Sequence, residues 1–286
     1  MGEVVLIYKL LALDLDGTVL NSQSELSPRT VQAVRLACRS GMKVCLVSGR
    51  SPRSMLPIAK DLGLDSLVVG FNSGLIVDPT DMTCLRQVTI PWDAIQPILK
   101  RWRQAGLTAL AYRNTFAPPD VYFCVPPKSS KSMGYLRYED DHLCKVAELC
   151  SDLGWEPLRI IVADDHERTS FALRVARPYL EDPRLVWYHA RHYDTTWYLE
   201  IYPPVSKAQG IDFLCRYYDI HPSYCVAVGD HVNDIEMLKA SGLGVAMGNS
   251  HPEVTKHAQM VIGHHDEDGL AQFIEDLLDG KAVRPA

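Results

Sequence analysis

Lys9-Leu10-Leu11-Ala12-Leu13-Asp14-Leu15-Asp16-Gly17-Thr18 is an apolar run that stops at a carboxylate. A short run that is apolar at every position reads as a parallel strand buried on both faces. Polar residues begin where that strand ends. Ser27-Pro28 then supplies an N-cap and a first helical residue, and Val31, Val34, Ala37 and Cys38 continue at helical spacing to Gly41. A second strand over 43–47 stops at Ser48-Gly49-Arg50, and a helix over about 52–62 and a strand over 66–70 follow. The alternation returns late in the chain, with helices expected over 206–217, 231–240 and 270–278 and strands over 225–229 and 243–247. Strand–helix alternation of this kind implies an α/β fold, a doubly wound parallel sheet of Rossmann-like form.

The middle has a different texture. Segments rich in Pro, Tyr and Trp, such as 117–130, stand beside strands expected over 158–163 and 185–189. Residues 86–200 therefore read as an α/β domain inserted into a core made of 1–85 and 201–286.

Composition narrows the class of protein. With 47% apolar and 22% charged residues, the chain has ample material for a buried core. Its 29 Lys and Arg against 35 Asp and Glu leave a net charge of −6, too mild to favour nucleic acid or an anionic membrane as partner. No apolar run reaches the roughly 20 residues of a membrane span, and the N-terminal stretch reads as a strand, not a signal peptide. The eight cysteines are scattered without a CxxC pair or zinc spacing; several, such as Cys45 and Cys225, sit in apolar runs and read as buried thiols, and the compartment reads as reducing and cytoplasmic.

The chemistry-bearing residues stand at strand ends. Asp14 and Asp16, two apart, are expected to face one site at the carboxyl edge of the sheet, where open α/β sheets bind ligands. Such a pair repels and calls for a cation between the carboxylates or a proton on one. Gly17 allows a sharp turn. Ser48 and Gly49 offer a hydroxyl and backbone N–H groups to an anion, although most Ser-Gly pairs are plain turns. Gly229-Asp230-His231-Val232-Asn233-Asp234 runs from a strand into a helix, with Asp230 expected at the N-cap and Asn233 and Asp234 in the first turn. Acids before a helix are ordinary caps, but carboxylates at two strand ends together favour Mg²⁺, a hard ion that bridges to substrate phosphate. Lys207 opens a helix against its dipole, so a local structural reason for it is not evident.

Taken in order, Asp14-Leu15-Asp16-Gly17-Thr18, Ser48, Lys207 and Gly229 to Asp234 resemble the four motifs of the haloacid dehalogenase-like (HAD) superfamily. Ser48-Gly49-Arg50, Asn72-Ser73-Gly74, the YPPVSK run at 202–207 and the AMGNS run at 246–250 look like its Cof-type branch, which carries a large α/β cap between the second and third motifs. The resemblance implies a HAD-like catalytic core with a substrate-specificity cap at 86–200. It implies Asp14 as the nucleophile that becomes an aspartyl phosphate and binds Mg²⁺, and Asp16 as general acid/base with its backbone carbonyl on the metal. Ser48, Lys207 and Asn233 are then phosphate-binding and Asp230 a metal ligand, with Gly17, Thr18, Gly49 and Asp234 in support. Ser73 stands where the branch usually has Gly, and Arg50 and Asn72 receive no role.

The expected function is a Mg²⁺-dependent phosphatase for small phosphorylated metabolites. A phosphomutase of the same superfamily would return the phosphoryl group to a sugar, and sequence does not separate the two. A phosphoacceptor signalling domain is disfavoured by the hundred-residue insertion, and a nucleotide-cofactor oxidoreductase by the lack of G-x-G-x-x-G after the first strand. The substrate and the oligomeric state are not legible. Tyr112, Arg113, Asn114 and Tyr122 are candidates for substrate choice, with ordinary packing an equal explanation of the aromatics.

Overall fold

The computed structural model describes residues 8–114, 117–191 and 196–281. They form two compact units, one from the residues up to Arg86 together with those from Ser206 onward, the other from Gln87–Val205. The first unit opens with β1 (Leu10–Leu13), α1 (Pro28–Arg39), β2 (Lys43–Val47), α2 (Pro52–Leu62), β3 (Val68–Gly70), β4 (Leu75–Val77) and β5 (Cys84–Gln87). Both helices begin as their sequences dictate: the Ser27 and Ser51 side chains accept from the amides of Thr30 and Ser54, and Pro28 and Pro52 occupy the first turn.

The second unit contains α3 (Trp92–Gln104), β6 (Leu110–Tyr112), β7 (Val121–Phe123), α4 (Ser130–Tyr138), β8 (Leu143–Lys145), β9 (Arg159–Asp164), α5 (His166–Ala176), β10 (Val186–Arg191) and β11 (Trp197–Tyr202). Its sheet runs β10-β11-β9-β6-β7-β8, antiparallel except for the β7–β8 pair. Strand alternation sends Ile160, Val162, Leu199 and Ile201 into a core with Ile95, Ile98 and Trp102 of α3 and Ala172 and Ala176 of α5. The intervening residues Arg159 and Glu200 point the other way and pair at 2.9 Å, with the Arg159 guanidinium over the Tyr112 ring.

The chain then returns to the first unit through α6 (Lys207–Tyr217), β12 (Cys225–Gly229), α7 (Ile235–Ala240), β13 (Leu243–Ala246), α8 (Pro252–Thr255), β14 (Met260–Val261) and α9 (Gly269–Leu278). The sheet order is β14-β13-β12-β1-β2-β3-β4-β5, parallel from β14 to β3, with β4 antiparallel to β3. Leu10, Ala12, Cys45, Val47, Cys225 and Ala227 pack with Ile211 and Leu214 of α6 and Met237 and Leu238 of α7. Leu11, Leu13, Val44, Leu46, Val226 and Val228, of opposite parity, are equally buried, and α1 and α9 pack on each other. Burial on both faces explains the unbroken apolar strands. β1 sits between β12 and β2, where the strand order reverses, so its carboxyl end opens onto the crevice in which such sheets bind ligands.

Candidate active site

Asp14 is the first residue beyond β1. Its backbone N–H donates to the Val228 carbonyl at 3.0 Å, which ties the end of β1 to β12, and its side chain is buried. The partner comes from α6. Lys207 is the first residue of that helix, and Ser206 before it makes no side-chain cap bond. The Lys207 side chain, 1% exposed as a residue, places Nζ 2.5 Å from Asp14 Oδ1 and 2.5 Å from Asp234 Oδ1. Gly210, one turn further on, lets the helix come this close. A Cβ there would stand 2.6 Å from Ser73 Oγ and 2.9 Å from Val69 Cγ1.

The third strand end is β12. The expected helix over 231–240 is a 3₁₀ turn at Val232–Asp234 followed by α7, and the N-cap of that turn is His231, not Asp230. Asp234 closes the turn from inside: its Oδ2 accepts from the amides of Asp230 at 3.1 Å and His231 at 2.9 Å. The reason is local space. Asp234 lies against Gly229, where a Cβ would meet its Cγ at 2.5 Å, so the glycine lets the carboxylate fold back over its own loop.

Asp14, Asp230 and Asp234 thereby bring carboxylate oxygens within 4.8 Å of one another, all three buried. Burial and the neighbouring Asp234 push the Asp14 carboxyl well above the ordinary carboxylate range; Lys207 pulls it back, and Asp230 pushes it further up. Burial opposes the Lys207 charge too, but Asp14 and Asp234 outweigh it and raise that ammonium's pKa. Lys207 thus meets two of the three gathered carboxylates, Asp14 and Asp234. An all-oxygen donor set of three buried carboxylates fits a hard dication such as Mg²⁺.

Asp16 takes a different partner from Asp14. Its carboxylate accepts a two-pronged pair from Arg50, with Nε at 2.8 Å from Oδ2 and Nη2 at 2.5 Å from Oδ1. The repulsion expected within the Asp14/Asp16 pair is thus relieved by a separate cation for each carboxylate, and Asp234, not the Asp16 side chain, completes the acidic cluster. Gly17 turns the chain with φ 80° in the left-handed region, and Thr18 is buried beside it. Ser48 is buried at the end of β2, where its Oγ accepts from the Arg50 amide at 3.2 Å. Gly49 lies between them, half-buried.

Asn233 stands apart from the carboxylates in its bonding: its Nδ2 donates to Asn72 Oδ1 at 3.2 Å. Asn72 belongs to a run of three non-glycine residues with positive φ, Phe71, Asn72 and Ser73 at 49°, 53° and 81°. Such backbone is costly and concentrates at functional sites. The Asn72 amide donates to the Ser48 carbonyl at 3.0 Å, which links the turn to the end of β2. Asn249, on the loop after β13, also joins the site, donating from Nδ2 to the Gly17 carbonyl at 2.8 Å and to Asp230 Oδ2 at 3.3 Å. The only signal for either asparagine was its place in a Cof-like run. Of the residues considered for substrate choice, Tyr112 and Tyr122 are buried in the second unit, while Arg113 and Asn114 line an open cleft of about 300 Å³ with Gln87, Thr89, Trp155 and Glu156.

The family model described as haloacid dehalogenase-like hydrolase matches residues 11–274. The chain is 28% identical over 282 residues to a 5-amino-6-(5-phospho-D-ribitylamino)uracil phosphatase of Bacillus subtilis, covering 93% of this chain and 96% of the other. It is 24% identical over 281 residues to a pyridoxal phosphate phosphatase of Escherichia coli, covering 93% and 97%. Among solved structures, a haloacid dehalogenase-like hydrolase from Bacteroides thetaiotaomicron shares the fold with a TM-score of 0.81, 23% identity and coverage of 94% and 99%.

Proposed function

Because the chain belongs to the haloacid dehalogenase-like hydrolases, we propose that this HAD-like phosphatase is Mg²⁺-dependent and cleaves small phosphate monoesters by attack of the Asp14 carboxylate on phosphorus. The observation that carries the reading is the buried convergence of Asp14, Asp230 and Asp234 on Lys207. As one Asp14 oxygen bonds to phosphorus, the ester P–O bond breaks and the departing oxygen takes a proton from Asp16. Water, giving a proton to Asp16, then attacks the aspartyl phosphate, releases inorganic phosphate and restores the Asp14 carboxylate. Lys207 offsets charge on the transferring group, and Ser48 and Asn233 donate hydrogen bonds to its oxygens. Asp14 and Asp230, with the Asp16 carbonyl and with Asp234 in support, would hold a dication, which would supply further positive charge to the transferring group. Arg50 holds the Asp16 carboxylate through both oxygens, and each oxygen keeps a further lone pair through which the proton can be exchanged with the substrate oxygen.

The relatives named for a ribitylaminouracil phosphate and for pyridoxal phosphate support small phosphorylated metabolites as the substrate class. The second unit, which supplies none of these groups, is proposed as the specificity cap. Cys45, Cys215 and Cys225 are buried thiols, in keeping with the cytoplasmic compartment proposed for the chain. Phosphate release from a panel of phosphorylated metabolites tests the reading: EDTA should abolish it and Mg²⁺ restore it. Undiminished release in chelator would remove the metal from the mechanism.

A further inference from the structure

We propose that Asn249 is a positioning residue that sets the distance between the two acidic loops and thereby the affinity of the site for its cation; this rests on the metal-dependent reading above. The loops after β1 and β12 reach the site from different strands. Asn249 joins them in front, with its two amide protons directed to the Gly17 carbonyl at 2.8 Å and to Asp230 Oδ2 at 3.3 Å. Its own orientation is fixed from behind, because Oδ1 accepts from the His265 amide at 3.2 Å and so leaves Nδ2 facing the site. The loop that carries it is pinned on both sides: Met247 N–H donates to the Gly229 carbonyl at 3.1 Å and His251 N–H to the Asp230 carbonyl at 3.1 Å. Gly248 brings the loop against 263–264, where a Cβ would stand 2.9 Å from the His264 nitrogen. A half-buried amide whose every polar atom is committed, two of its contacts being to the loops that carry the carboxylates, is placed to hold those carboxylates at cation-binding distance before the cation arrives. Groups that orient metal ligands in this way are worth 10- to 100-fold in metal affinity.

The test measures binding of Mn²⁺, which shares the preference of Mg²⁺ for oxygen ligands, to the metal-free full chain, reading the free ion by electron paramagnetic resonance. The wild type should bind and Asp230→Asn should not. Asn249→Ala should remain folded by circular dichroism and bind with Kd raised roughly 10- to 100-fold. If Asn249→Ala does not fold, Asn249→Leu, which keeps the volume, takes its place. A merely structural tie predicts a lower Tm with Kd within about threefold of wild type, and that result overturns the inference while leaving the metal-dependent reading intact. Two variants that both fail to fold assign Asn249 to the fold and overturn it as well. A wild-type chain that takes up no Mn²⁺ overturns the metal-dependent reading and this inference together.

Discussion

Both units bury charge, but they settle it differently. In the second unit the Arg159–Glu200 pair is surrounded by hydroxyls: Tyr202 donates to Glu200 at 2.9 Å, and Tyr112 donates to Glu139 at 2.9 Å and meets the Tyr135 hydroxyl at 2.8 Å. Burial, above all, pushes the Tyr112, Tyr135 and Tyr202 hydroxyls up, so they stay protonated donors at neutral pH. In the first unit, carboxylates converge on one another with a single ammonium between two of them. Burial alone therefore does not mark a site. What marks it is like-charged groups gathered against one another by the fold, since folding gains nothing from their repulsion at such a place.

The largest expected effect comes from Asp14→Asn. Turnover should fall by roughly 10³-fold or more if Asp14 is the nucleophile. Stability should move the other way. The folded-state pKa of Asp14 is raised, so its contribution to stability is full below the unfolded value of about 4 and is lost as pH rises through the folded value. Without metal, the Tm of Asp14→Asn minus that of wild type should grow from pH 4 to pH 8, and saturating Mg²⁺ should narrow it. A flat difference in chelator would mean that the cluster carries no stored repulsion, which would erase the contrast with the second unit.

Lys207→Ala removes the cation that Asp14 and Asp234 share. Turnover should fall by about 10²-fold or more, and the metal-free chain should lose about 3–5 kcal/mol, because buried carboxylates are left without their counterion. Denaturant titration and phosphate release measure the two effects separately. A small loss of stability with normal turnover would place Lys207 outside both roles. Glu200→Gln sharpens the other side of the comparison. It leaves Arg159 with a neutral partner at a site still partly open to solvent, so a loss of about 1–3 kcal/mol is expected. The proposed Mg²⁺ dependence should be the same in wild type and variant, and a shifted dependence would tie the Arg159 network to the metal.

Much of this was legible in the sequence because the elements carry local signals. Ser27-Pro28 caps and starts α1 where expected, and the apolar strands at 43–47 and 225–229 have the expected bounds. The acids were legible as a set because each follows a strand. Their pairing was not. Whether Asp16 shares a cation with Asp14 or takes Arg50 depends on side-chain directions past the end of β1, where the period of two no longer holds. The fold-back of Asp234 depends on the empty space at Gly229. The left-handed run at 71–73 was hidden because two of its residues, Phe71 and Ser73, are not types that favour positive φ. With that turn unseen, the antiparallel β4 beyond it was missed too.

The smallest expected effect concerns Arg50. Its pair with Asp16 is partly exposed, with side chains 25% and 20% accessible, so Arg50→Ala should change stability by no more than about 1 kcal/mol. The reason to make the variant lies in the fork itself. Two donors fix the plane and position of the Asp16 carboxylate, and a proton donor that wanders from the leaving oxygen transfers poorly. An ester with a good leaving group, such as p-nitrophenyl phosphate, hardly needs that proton, whereas an alkyl phosphate does. Arg50→Ala should therefore lower turnover of alkyl phosphates by roughly 10-fold while nitrophenyl phosphate loses much less. Arg50→Lys, a point charge without the fork, should restore stability but not the alkyl rate. Equal losses on both esters would assign Arg50 to phosphate binding instead of to Asp16. A gain on alkyl phosphates would show that the fork holds Asp16 away from its work, and the ion pair would then be a resting state that substrate must break.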